Sequence, residues 1–174
     1  DGVFLSSSQT PGDGGAPSEA EMCRNFFGQV EAADRLGYTA AWVAESHLSS
    51  EVQKIHPDPV IPHWQGEVGL NTDILQLAAR VFARTERIEV GSAVLNLLAN
   101  GGPIAHAERV AAFLALHGLG EHERRRLRIG FSAGRFEFIS RAHGILPRNG
   151  LERLAWPALR GRIFAEASEI FLRL

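Results

Sequence analysis

Strand-like and helix-like patterns alternate along this chain, and that order limits the possible fold more than any other feature of the sequence. The run 39–44 contains no charge and suits a strand that is buried on both faces, as in parallel sheets covered by helices. The segment before it has helical periodicity, with apolar residues at Met22, Phe26, Val30 and Ala33. Ser18 and Glu21 have the spacing of a capping box, and Gly37 is suited to end the helix.

Four strand-helix rounds of this kind are predicted. The strands are expected at 2–7, 40–44, 88–95 and 127–131, and the helices are expected to begin near Ser18, Thr72, Pro103 and Pro157. This order indicates an α/β protein with a parallel sheet. A TIM-type (β/α)8 barrel needs about 250 residues, so 174 residues would supply only about the first four units. We therefore interpret 1–174 as the N-terminal half of a barrel domain; a small open sheet is the alternative.

The composition excludes several functional classes. Lys and Arg total 18 against 20 for Asp and Glu, which gives no overall field for nucleic acid or an anionic membrane. No apolar run is long enough to span a membrane. The single cysteine, Cys23, cannot form an internal disulfide and is expected to be a reduced, packed thiol, which suggests a cytoplasmic protein. Arg124, Arg125 and Arg126 are expected in a solvated turn.

The segment 48–71 is interpreted as a lid or insertion loop. It contains Pro57, Pro59 and Pro62, which rule out a regular helix there. Trp64 is expected to be an aromatic residue of the lid or substrate pocket. His47, His56 and His63 raise the question of zinc, but their spacing on a proline-rich loop matches no usual zinc site. No metal is expected.

Polar side chains follow the second predicted strand at its carboxyl end, which is where ligands bind in α/β folds. They are Glu45, Ser46 and His47. An imidazole has an ordinary pKa near 6.5, so modest burial can tune it for proton transfer. The alternative is that Glu45 and His47 only cap the strand or pair with loop groups. Direct catalysis by the later helical residues His106 and Glu108 is not expected.

Four blocks of the sequence, in order, resemble the bacterial luciferase-like, flavin-dependent monooxygenase family. The blocks are 36–47, 87–94, 103–111 and 128–135. The resemblance corresponds to the N-terminal half of that family's barrel. It implies an oxidoreductase that uses reduced FMN and oxygen on a small organic substrate, with a possible separate flavin reductase as partner. A homodimer or heterodimer is also implied.

The resemblance also implies particular site residues. Glu45, Ser46 and His47 stand where the family has a Glu-His-His type sequence near the flavin, so Ser46 replaces one imidazole. A non-prolyl cis peptide beneath the flavin ring would fall between Ala93 and Val94; an ordinary buried strand is the alternative. In luciferase an arginine that helps hold the flavin phosphate occupies the position of Ala133. The implied cofactor-binding residues are Ser92, Ala93, Val94, Asn96, Ser132, Ala133 and Arg135.

Two other functions remain open at this point. One is a related oxidoreductase that uses a deazaflavin coenzyme and transfers hydride without oxygen. The other is a non-catalytic subunit or an incomplete fragment of the same fold. The loop 100–103 could offer backbone N–H groups to an anion or a flavin carbonyl, although a tight turn explains its glycines equally well.

Overall fold

The computed structural model describes residues 2–5, 8–9, 19–45, 67–68, 73–134 and 137–174. Its strands are β1 Gly2–Leu5, β2 Ser8–Gln9, β3 Ala40–Val43, β4 Glu67–Val68, β5 Glu89–Asn96 and β6 Leu127–Ser132. Its helices are α1 Glu19–Arg35, α2 Ile74–Phe82, α3 Gly102–His117, α4 Glu137–Ala142, α5 Gly150–Leu154 and α6 Trp156–Arg173. None of the described helices is long and apolar enough to cross a membrane.

The chain forms two compact units. The first is drawn from residues 1–93 and 125–130, and the second from residues 94–124 and 131–174. The four-stranded sheet has the order β1-β3-β5-β6. Strand β3 pairs in parallel with β1 on one side and with β5 on the other. The four predicted strand-helix rounds are thus confirmed, with boundaries that differ from prediction by a few residues.

The first unit has its core on β3 and β5 and on the helices before them. Ala41 and Val90 are fully buried neighbours in the sheet, as the uncharged sequence of β3 predicts. Helix α1 ends as expected at Gly37, whose φ of 85° lies in the left-handed region that glycine favours. Helix α2 begins at Ile74 because Asp73 caps it. The Asp73 side chain accepts hydrogen bonds from the backbone N–H groups of Leu75 and Gln76. Cys23 is half-buried, as predicted.

The carboxylate of Asp34 joins the end of α1 to the segment that enters β5. One of its oxygens accepts the N–H groups of Arg87 and Ile88, at 2.9 and 2.7 Å, and the other accepts the N–H of Glu86 at 3.0 Å. Burial raises the pKa of the Asp34 carboxyl, but these backbone donors and the Arg87 charge outweigh burial and hold the pKa below its usual value. The ionised carboxylate therefore fixes where β5 begins.

The expectation of a solvated basic turn is wrong for Arg125, although Arg124 and Arg126 are exposed. Arg125 donates to the backbone oxygens of Thr85 and Phe82, at 2.7 and 2.9 Å. Its guanidinium also lies over the Phe82 ring, 4.8 Å from the centroid. Arg125 therefore ties the start of β6 to the end of α2, because carbonyl oxygens left by the last helical turn need donors.

In the second unit α3 packs against α6. Pro103 and Pro157 lie in the first turns of these helices, as predicted. His106 is 2% exposed and its Nε2 donates to the carbonyl oxygen of Ala99 at 3.0 Å, which confirms a packing role. The Phe131 ring at the end of β6 contacts the rings of Phe164 and Phe171 on α6.

The segment 48–71 lies outside the described residues except for Glu67–Val68, which pairs antiparallel with Ser8–Gln9. The predicted roles of Trp64, His56 and His63 fall outside the description too. The lid hypothesis for this segment stays a prediction.

Candidate functional site

In the first unit, the carboxyl end of β3 lies beside the middle of β5. Val43 and Ser92 are paired neighbours in the sheet, and Glu45 follows two residues after Val43. Glu45 is half-buried, as is Ala93 on β5. Ser46 and His47 lie outside the described residues, so their predicted roles stay predictions.

The hydroxyl of Ser92 has a structural partner. Ser92 is 1% exposed, and its Oγ donates to the carbonyl oxygen of Gly130 at 2.6 Å. This bond holds β5 against β6 in the first unit and engages the hydroxyl proton. Ser92 therefore helps to hold the middle of β5 in place, and its proton is already donated to a backbone carbonyl.

Gly91, one residue earlier, has a packing role. It pairs with Trp42 across the sheet, and the indole ring covers it so closely that an added Cβ would lie 2.6 Å from Cζ3 of Trp42. Only glycine leaves room for this ring. The alternative interpretation, that Gly91 serves strand packing, is therefore supported, and the cis peptide between Ala93 and Val94 stays a prediction.

In the second unit, the turn after β6 packs against the end of β5. The N–H of Leu97 donates to the carbonyl oxygen of Ser132 at 3.1 Å. The N–H of Gly134 donates to Ser132 Oγ at 3.0 Å and closes the turn 132–134. Gly134 has a φ of 78°, and a Cβ there would lie 2.9 Å from Cγ of Asn96. Glycine is required here because of the positive φ angle and because Asn96 leaves no room for a Cβ. Asn96 therefore lies against the turn.

Asn96 presents an unused donor at this turn. The residue is 6% exposed, and its Oδ1 accepts the N–H of Leu98 at 3.1 Å. Its side-chain nitrogen donates no hydrogen bond within the described part of the chain. This nitrogen is not fully buried, so an acceptor from outside the chain can reach it.

Arg160, from α6, completes the surroundings of the turn. Its Nη2 donates to the carbonyl oxygen of Gly134 at 2.9 Å, and the side chain is half-buried. None of the ion pairs among the described residues includes Arg160. Sequence reasoning missed Arg160. The signal that could have revealed it is helical spacing, because Arg160 lies four residues before Phe164 on the face of α6 that meets β6.

The structure thus brings together some of the predicted site residues and leaves others apart. Asn96, Ser132 and the half-buried Ala133 form one cluster in the second unit with Gly134 and Arg160. Val94, in the same unit, is 41% exposed. Glu45, Ser92 and Ala93 belong to the first unit, and Arg135 lies outside the described residues.

The loop 100–103 was predicted as either an anion-binding loop or a tight turn. Asn100, Gly101 and Gly102 all have positive φ angles, and the N–H of Gly102 donates to the carbonyl oxygen of Ala99 at 3.0 Å. One of the amides that could have faced a ligand is therefore used inside the turn. The tight-turn interpretation is the one that the structure supports.

The cluster in the second unit is a set of donors. It offers a guanidinium from Arg160, an amide from Asn96 and the hydroxyl of Ser132, whose oxygen already accepts from Gly134 and whose proton remains to donate. Such a set suits an acceptor-rich, anionic group, and a guanidinium fits a phosphate especially well. Phosphorylated cofactors carry such a group.

Comparison with solved structures gives three relatives of the fold. One is the oxygenating constituent of 3,6-diketocamphane monooxygenase from Pseudomonas putida, a type II Baeyer-Villiger monooxygenase whose structure was solved in complex with FMN. It has a TM-score of 0.64 and 18% sequence identity, and the match covers 98% of this chain and 37% of that chain. The monooxygenase RslO1 from Streptomyces bottropensis has a TM-score of 0.63 and 19% identity over 99% of this chain and 41% of that one. Apo-MsnO8 has a TM-score of 0.55 and 21% identity over 87% of this chain and 38% of that chain.

This chain therefore spans about two fifths of the length of these structures. No curated protein sequence matches it. The likeness confirms the predicted fold class, an α/β protein built from parallel strand-helix units of a TIM-type barrel. The family model described as luciferase-like monooxygenase matches residues 2–174, which includes every strand and helix described above, and the chain accordingly belongs to the luciferase-like monooxygenase family.

Proposed function

We propose that the protein containing this chain is a flavin-dependent monooxygenase that uses reduced FMN and oxygen to oxygenate a small organic substrate. Family membership supports this proposal, as does the FMN bound to the Pseudomonas putida relative. The observation that carries it is the donor cluster of the second unit, in which the turn 132–134 closes against Asn96 at the carboxyl end of β6.

The described residues fit one part of this cofactor. Asn96 and Ser132 supply donors at a turn whose glycine keeps the backbone accessible, which is the chemistry that a phosphate or a flavin oxygen requires. When bound, FMN supplies the redox chemistry with oxygen, which no protein side chain provides. The chain's own residues bind and orient it.

The remaining site roles stay proposals from the family resemblance. His47 would donate or accept a proton near the flavin ring, beside Glu45 and Ser46. The loop 48–71 would exclude water from the reaction. A separate flavin reductase and a dimeric assembly are proposed on the same basis, and a cytoplasmic location is proposed because the single cysteine, Cys23, is expected to be reduced.

Binding of the coenzyme tests the proposal. The purified protein, as its gene encodes it, is titrated into FMN, and the flavin fluorescence is followed under air and, with reduced flavin, under nitrogen. We expect saturable binding of FMN, and an oxygenated product that forms only when protein, substrate, reduced FMN and oxygen are all present. A deazaflavin coenzyme serves as the comparison ligand in the same titration.

Two results would contradict the proposal. Tight binding of the deazaflavin coenzyme with no binding of FMN would assign the protein to hydride transfer without oxygen. Failure to bind either coenzyme would favour a non-catalytic subunit of the same fold.

A further inference from the structure

We infer that Arg160, on helix α6, binds the phosphate of the flavin. The side-chain amide of Asn96 is the second group that donates a hydrogen bond to this phosphate. This inference rests on the proposed function, because it assumes that the ligand is FMN. It assigns a binding role to a helix that follows the strand by two further helices, where no sequence motif indicated a site.

The first argument is the charge of Arg160. Arg160 as a residue is half-buried, yet among the described residues no carboxylate pairs with its guanidinium. Partial burial of a cation without an opposite charge is unfavourable, and an anionic ligand would remove that cost. Arg128, whose side chain is 39% exposed, by contrast pairs with Glu89.

The second argument is the number of donors that remain. A guanidinium has five N–H groups, and Arg160 uses Nη2 to hold the carbonyl oxygen of Gly134 at 2.9 Å. Its other nitrogens donate to no group in the described part of the chain. The same is true of the side-chain nitrogen of Asn96, which lies against the same glycine and is not fully buried, so that a ligand can reach it.

The third argument is rigidity. Phe164 and Phe171 anchor α6 on the Phe131 ring, at centroid distances of 6.2 and 5.5 Å. Arg160 lies one helical turn before Phe164, so the same contacts hold it at the end of β6. A donor set that is fixed before the ligand arrives loses little conformational freedom on binding.

The test compares FMN with riboflavin, which has the same ring and lacks the phosphate. Dissociation constants for both flavins are measured by fluorescence quenching for the wild-type protein and for Arg160→Gln, which removes the charge and keeps a polar side chain. Arg162→Gln is the matched control, because Arg162 is an exposed arginine on the same helix. We expect Arg160→Gln to weaken FMN binding roughly ten- to hundredfold and riboflavin binding less than about threefold.

Asn96→Asp is the second variant. Aspartate keeps the oxygen that accepts the N–H of Leu98 but replaces the free donor with an anionic oxygen. We expect it to weaken FMN binding by at least about tenfold with little change for riboflavin, since like charges repel at a short distance. Inorganic phosphate should compete with FMN in the wild-type protein and should not compete with riboflavin.

The outcomes separate the two proposals. If the wild-type protein binds FMN and neither Arg160→Gln nor Asn96→Asp changes that affinity, or if both flavins weaken equally, this inference is overturned and the proposed function stands. If the wild-type protein binds neither flavin, both fail. A selective loss of FMN affinity, absent in Arg162→Gln, supports the inference.

Discussion

Replacement of Asp34 by asparagine should destabilise the first unit more than any other single polar change described above. The carboxylate is 7% exposed and accepts three backbone N–H groups, at 2.7, 2.9 and 3.0 Å. Asparagine keeps one acceptor oxygen for the N–H groups of Arg87 and Ile88 but places its NH2 group against the N–H of Glu86. It also removes the charge. One lost charge-assisted bond costs about 1.5–3 kcal/mol and two weakened bonds cost somewhat less, so we expect a loss of about 3 kcal/mol in the free energy of unfolding.

The pH dependence of this loss has a definite sign. The folded pKa of Asp34 is lowered, so between the folded and the unfolded pKa the unfolded state binds more protons. The contribution of the charge is therefore complete above the unfolded pKa, near 3.9, and is lost as the pH falls through the folded pKa. The difference between wild type and Asp34→Asn should be constant near neutrality and should shrink below about pH 4.

Urea unfolding followed by tryptophan fluorescence, at pH values from 7 to 3, measures the loss in the free energy of unfolding and its dependence on pH. Asp73→Asn is the matched control, because Asp73 also accepts backbone N–H groups, at 2.9 and 3.1 Å, but does so as a helix cap where asparagine serves equally well. We expect that control to change stability by less than about 0.5 kcal/mol. A loss below about 1 kcal/mol for Asp34→Asn, or a loss that does not change with pH, would refute the reasoning.

Three further substitutions test single contacts in the turn after β6, inside β5 and at the start of α6. Gly134→Ala, at a φ of 78° and against Asn96, should cost at least about 1–2 kcal/mol in thermal unfolding and weaken flavin binding; unchanged stability would show that the turn tolerates a side chain. Gly91→Ala should cost about 1–3 kcal/mol because its Cβ meets the Trp42 ring, and Trp42→Leu in the same chain should recover part of that loss; strictly additive losses would contradict the contact. Trp156→Phe should change stability by less than about 1 kcal/mol, because it removes a buried indole N–H that meets no acceptor among the described residues; a loss of 3 kcal/mol or more would show that the N–H is satisfied.

The sequence predicted those parts of the molecule that depend on local pattern. The uncharged strand 40–43, the helix end at Gly37 and the proline-opened helices α3 and α6 each depend on neighbouring residues, and the structure confirms them. Arg125 was misjudged because its partners are Phe82 and Thr85, about forty residues away, and charge patterning contains no information about them.

The candidate site shows the same limit. Asn96 and Ser132 were predicted from a family resemblance, and their contact through the turn at Gly134 required the fold. Arg160 could not be assigned from a motif because it reaches the turn from a helix 26 residues further along the chain. A hydroxyl such as that of Ser92 looks like a ligand group in sequence, whereas its geometry shows a bond to the backbone of Gly130.

A crystal structure of the protein with FMN would test the central claim most directly, namely that the turn after β6 receives the phosphate of a flavin. The account predicts phosphate oxygens within hydrogen-bond distance of the Arg160 guanidinium and the Asn96 amide. A bound flavin whose phosphate contacts neither residue, while the turn 132–134 keeps its present geometry, would contradict it.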